Sequence, residues 1–83
     1  QRVGLVALDY AVPSGREVDV RIRVFDSEGR LVRTLVQERV GSGEYHVEWD
    51  RLNERGQRVS PGVYVALMEA GEFRATRRLV VTR

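Results

Sequence analysis

His46 is the only histidine in the chain and the side chain best suited to proton transfer near neutral pH. It alternates with Tyr45, Val47 and Trp49, which places it on the opposite face of a predicted strand. Nucleophilic catalysis also needs an orienting acid and an oxyanion site beside the base. We therefore predict that His46 is a solvent-facing strand residue and that the chain has no catalytic residues.

The acidic residues could form a glycosidase pair or ligate a cation. Most of them lie in turns or alternate with arginine, which is typical of a solvated sheet face. Asp50, Asn53 and Glu54 cluster in one loop, but their spacing differs from that of a calcium-binding loop. A turn capped by side chains explains this cluster better. With no cysteine and one histidine, the sequence predicts no metal site and no cofactor.

Four large aromatic residues raise the possibility of carbohydrate binding, in which rings stack on sugars: Tyr10, Tyr45, Trp49 and Tyr64. Trp49 and Tyr45 share one face of their strand with Val47, and a buried tryptophan commonly anchors a small sandwich. We predict that Trp49 packs in the core.

All 14 basic residues are arginine, and 12 acidic residues leave a net charge of +2. The arginines are spread along the chain instead of forming a patch, so the charge pattern does not indicate nucleic-acid binding. Arg21 and Arg23 alternate with apolar residues, and further arginines follow in the last predicted strand. Outward charges keep sheet faces soluble, and guanidinium groups bind carboxylate or phosphate. The possible recognition surface comprises Arg74, Arg77 and Arg78.

The chain length predicts one domain, and the alternation of apolar residues predicts strands within it. The strands are expected over residues 3–12, 18–24, 31–36, 45–49, 63–70 and 73–82, with a polar loop over 50–60. Asp26 and Gly29 predict a tight hairpin turn between the second and third strands. Six or seven short strands separated by turns are typical of a small antiparallel β-sandwich.

Five runs along the chain resemble the FlgD-like immunoglobulin domains. They cover residues 8–13, 24–32, 43–50, 56–64 and 75–81, and include V-F-D-S-E-G-R-L-V and G-E-Y-H-V-E-W-D. Arg51 stands where that family commonly has glycine after Trp-Asp. The motif residues, which we interpret as structural, are Asp26, Gly29, Arg30, Gly43, Trp49, Asp50, Gly56, Gly62 and Tyr64. Among them, Gly29 and Gly62 are expected to provide turn dihedrals, and Tyr64 to bond backbone at a corner.

The resemblance implies a non-catalytic C-terminal sorting or accessory module of a bacterial protein exported by type IX secretion. Residues 1–83 would then be one domain of a larger secreted or cell-surface precursor. Its expected partners are the secretion machinery or a neighbouring domain of the parent protein. We expect no nucleic-acid binding and no membrane span. Two alternatives remain open: a structural spacer or assembly module, as in the flagellar hook cap, and a carbohydrate-binding accessory domain of a glycoside hydrolase.

Overall fold

Alternating apolar residues form six strands in the computed structural model, which describes residues 6–13, 15 and 17–82. The strands are β1 (Val6–Val12), β2 (Val18–Asp26), β3 (Leu31–Val40), β4 (Gly43–Trp49), β5 (Gly62–Ala70) and β6 (Phe73–Val81). No helix in these residues is long and apolar enough to cross a membrane. The predicted all-β class is confirmed, with six strands.

The strands form two antiparallel sheets. The larger sheet has the order β3-β2-β5-β6, and the smaller sheet contains β1 and β4 alone. In the smaller sheet, Val6 pairs with Trp49 and Val12 with Gly43. In the larger sheet, Val24 pairs with Ala66 of β5, next to the centre of the core. This arrangement is an immunoglobulin-like β-sandwich in which two strands face four.

The core lies between the two sheets and centres on Trp49, whose side chain is fully buried. Its ring meets the ring of Tyr64 edge-on, with the centroids 5.5 Å apart. Val20, Val24 and Leu79 are buried with them, as their strand parity requires. The prediction that Trp49 belongs to the core is confirmed, and burial excludes its face as a platform for sugars.

Asp26 organises the turn between β2 and β3. Its Oδ1 accepts hydrogen bonds from the backbone amides of Glu28 and Arg30, both at 2.9 Å. Gly29 adopts a φ of 83°, which glycine tolerates better than other residues. These contacts confirm the predicted hairpin turn. The bonds from the Arg30 and Glu28 amides, together with the Arg30 side chain, lower the pKa of Asp26.

Four predicted strands are shorter than the observed ones, namely those expected over residues 18–24, 31–36, 45–49 and 63–70. β3 continues through polar residues to Val40, because Arg39 pairs with Asp19 of β2 and their side chains form an ion pair at 3.2 Å. β4 begins at Gly43, which pairs with Val12. Cross-strand pairing of this kind has no signature in local alternation. The part of the first predicted strand that covers residues 3–5 lies outside the described residues.

Candidate interaction surface

Most of the family-motif residues meet at one end of the sandwich. Asp26 ends β2 opposite Tyr64 of β5, and Trp49 packs against the same tyrosine. The indole Nε1 donates to the carbonyl of Leu52 at 3.0 Å, which ties the loop after β4 to the core. Gly43 lies at the opposite end of β4. These contacts place Trp49 and Tyr64 in the core and Asp26 at the turn that follows β2.

Two tyrosines form the same corner contact. The hydroxyl of Tyr64 donates to the carbonyl of Ser60 at 2.6 Å, and that of Tyr45 donates to the carbonyl of Gly41 at 2.7 Å. Each bond spans four residues and fixes the chain where it enters a strand. The expected corner bond of Tyr64 is confirmed; that of Tyr45 was not anticipated. Burial raises the pKa of Tyr64, as does the nearby charge of Asp26.

The loop after β4 uses its polar side chains to bind its own backbone. Asp50 Oδ1 accepts from the Leu52 amide at 3.1 Å, and Asn53 Oδ1 accepts from the amides of Arg55 and Gln57. Within the described residues, no group of three or more acidic, histidine or cysteine side chains is placed to hold a metal ion. The interpretation of this loop as a turn capped by side chains is confirmed.

Glu54 attaches the loop to the larger sheet. Its Oε2 accepts from the Thr34 amide at 2.6 Å, and its own amide donates to the carbonyl of Val32 at 3.1 Å. Arg33 of β3 also reaches Asp50 at 3.1 Å. These bonds occupy part of the free edge of β3, which leaves less of it open to other chains.

Arg51 is the one described non-glycine residue with a positive φ, at 65°. A β-carbon is disfavoured in this conformation, which is the one that glycine adopts most readily. The arginine gains one compensating contact, a hydrogen bond from Nη1 to the carbonyl of Thr82 at 3.1 Å.

His46 lies on the exposed face of the smaller sheet, as predicted. Nδ1 is 2.5 Å from Asp9 Oδ1, directly across on β1, and Nε2 is 3.2 Å from Glu48 Oε2. The hydrogen bond to Asp9, followed by that to Glu48, raises the pKa of His46. The sequence did not reveal Asp9 as a partner, because 37 residues separate the two.

Glu69 of β5 collects arginines on the outer face of the larger sheet. Its Oε1 accepts from Arg21 at 2.8 Å and from Arg23 at 3.1 Å, while Arg74 of β6 lies 3.7 Å from Oε2. The hydrogen bond from Arg21 lowers the pKa of Glu69, helped by the charges of the three arginines. Three guanidinium groups thus share one carboxylate, which leaves this part of the outer face with an excess of positive charge.

The predicted recognition residues lie on β6, an edge strand. Arg74 and Arg78 pair with Glu69 and Val65 and share the outer face with them. Arg77 pairs with Ala66, which is buried, so Arg77 belongs to the inner side of the strand. Seven residues of β6 are exposed, and only Leu79 and Val81 enter the core. The structure therefore divides the three arginines between two faces of one exposed strand.

A family model described as FlgD Ig-like domain matches residues 4–72, which is most of the chain. Curated proteins and solved structures give no match. The matched region includes the Asp26 turn and the Trp49–Tyr64 pair, and it ends just before β6. The sandwich and the corner tyrosine agree with an immunoglobulin-like assignment. The chain therefore belongs to the FlgD Ig-like domain family.

Proposed function

We propose that this domain is a non-catalytic structural and assembly module of a larger exported bacterial protein, acting by presenting a surface to a neighbouring domain. The observation that carries the proposal is the family match over residues 4–72. The motif residues Asp26 and Asp50 support it, because their side-chain oxygens accept hydrogen bonds from backbone amides of their own turns.

The exposed edge strand β6 is the surface that we assign to assembly. Arg74 and Arg78 project from its outer face, where Arg74 lies beside Glu69. Arg78 forms no hydrogen bond or ion pair with any described residue, so its guanidinium is available to a carboxylate of another domain. A charged edge also resists pairing with a second copy of the same edge, which favours a different partner.

The test is calorimetric titration of the 83-residue chain against the rest of the polypeptide encoded by its gene. We expect saturable binding that Arg78→Glu weakens on the order of tenfold, because like charges would replace complementary ones. Arg55→Glu is the matched control, since Arg55 is exposed in the loop after β4 and should leave affinity unchanged. A monomeric chain with no affinity for the rest of that polypeptide would refute the assembly function.

Type IX sorting stays a prediction that rests on the motif resemblance alone. Carbohydrate binding has less support, because Trp49 is fully buried and Tyr64 is 7% exposed.

A further inference from the structure

A groove opens between β1 and β6, on the side where each strand has a free edge among the described strands. Its volume is about 260 Å³. The residues that define it are Leu8 and Tyr10 of β1, Met68 of β5, and Phe73, Ala75 and Arg77 of β6. The groove exists because a sheet of two strands cannot cover the inner face of a sheet of four.

The inner face of β6 changes character along the strand. Leu79 and Val81 are buried at 4% and 5% exposure, whereas Phe73 on the same side is 58% exposed. Ala75 and Arg77, which lie between these two parts, are exposed as well. An exposed phenylalanine above a floor of buried side chains is an apolar surface without a cover.

Arg77 gives the groove a positive charge that calls for an acidic group on any occupant. It lies on the same side of β6 as Phe73 and forms no hydrogen bond or ion pair with any described residue. The carboxylate among the groove-lining residues belongs to Asp9, which contacts His46 on the opposite face of the smaller sheet. An occupant with one carboxylate in reach of Arg77 would therefore complete the site.

The two free edges differ in how open they are to a further strand. β6 carries three arginines, and charged residues protect an edge from pairing. β1 has the sequence V-A-L-D-Y-A-V, with one charged residue. A third strand paired to β1 would lie about 4.8 Å beyond it and about 10 Å above the larger sheet. That position covers the exposed half of β6.

We propose that the groove binds one extended strand of a partner polypeptide, which pairs with the free edge of β1. Apolar side chains of that strand cover Phe73 and Ala75, and a carboxylate meets Arg77. Recognition of this kind combines backbone hydrogen bonds with pockets for alternate side chains. This inference rests on the proposed assembly function and gives the chemistry of the partner.

A second copy of the chain fits the groove poorly. If two copies paired through β1, the side chains entering the groove would come from the face of Leu8 and Tyr10, which carries no carboxylate. If two copies paired through β6, their arginines would face one another. Neither of these symmetric arrangements gives Arg77 a partner, which favours a strand of a different polypeptide as the occupant.

The test uses two synthetic peptides of about nine residues in which valine and threonine alternate. The central inward position is glutamate in one peptide and lysine in the other. Binding to the 83-residue chain is followed by amide NMR titration, and the bound strand is located by hydrogen-exchange protection. We expect the glutamate peptide to bind on the order of tenfold tighter and to protect amides of β1.

Arg77→Glu should reverse the preference between the two peptides. Arg55→Glu is the matched control, because it makes the same charge change at an exposed arginine in the loop after β4 and should leave both affinities unchanged. Circular dichroism checks that both variants keep the fold. Equal affinities, protection on β6, absence of saturable binding, or a dimer joined through β1 would each overturn the proposal. If the peptides fail while the rest of the polypeptide still binds, the assembly function stands and this inference is wrong.

Discussion

Tyr64→Phe offers a sharp test of the corner contact because it removes one hydroxyl and keeps the ring. The ring remains against Trp49, so core packing is preserved. What disappears is the 2.6 Å bond to the carbonyl of Ser60. Tyr45→Phe is a matched control, since it removes a bond of the same span, 2.7 Å long, from a half-buried ring.

The expected loss of stability follows from burial. An intramolecular hydrogen bond contributes about 0.5–1.5 kcal/mol net, and more where water cannot replace it. Tyr64 is 7% exposed, which places Tyr64→Phe at about 1.5 kcal/mol. Tyr45 is less buried, so Tyr45→Phe should cost about 0.5 kcal/mol. A domain of this length has a total stability of about 4–12 kcal/mol, so both variants should fold.

Urea unfolding followed by fluorescence measures both losses, because Trp49 is the sole tryptophan. With a urea dependence of about 1 kcal/mol per molar, the midpoints should fall by about 1.5 M and 0.5 M. The slopes should stay the same, since neither change alters the surface exposed on unfolding. If the two variants lose equal stability, or Tyr64→Phe loses none, the corner bond does not contribute as burial implies.

Three further predictions concern turns and charges. The pKa of His46 is raised above 6.5, so the stability contributed by its protonated ring is fully present below pH 6.5 and is lost as pH rises through the raised pKa. Thermal unfolding across this pH range should show the loss in the wild type and not in His46→Gln. Arg51→Gly should be more stable than Arg51→Ala by about 1 kcal/mol, because both lose the arginine's hydrogen bond and only glycine relieves the positive φ; equal melting temperatures would contradict this account of the backbone. The pKa of Asp26 is lowered below 3.8, so stability should be lost as pH falls from 3.8 through the lowered pKa. Asp26→Ala should remove this acid transition. Urea unfolding should show that Asp26→Ala destabilises the domain more than Asp26→Asn, because asparagine keeps an acceptor for the turn amides.

The sequence predicted the features that local patterns encode. Alternation identified the strands, and Asp26 with Gly29 identified the hairpin turn because the chemistry lies within four residues. The parity of Trp49 with its neighbours predicted that it is buried. Each of these inferences needs only the chain on either side of the residue.

Features that depend on pairing between distant strands could not be predicted in this way. The contact of His46 with Asp9 requires the register of β1 against β4, and the arginines around Glu69 require that β2 and β6 flank β5. The groove beside Arg77 depends on the number of strands in each sheet. These are properties of topology, which local alternation does not specify.

The pairing of β1 with β4 also has a consequence for how the chain folds. Val6 meets Trp49 across more than half of the sequence, whereas β2–β3 and β5–β6 are hairpins closed by short turns. Closing a long loop costs more entropy than closing a hairpin, and non-local pairings slow folding. During synthesis, β1 remains an unpaired apolar segment until β4 has left the ribosome. We therefore expect the two hairpins to form early and the distant pairings, β1 with β4 and β2 with β5, to form late, on the millisecond-to-second scale of β-sandwiches.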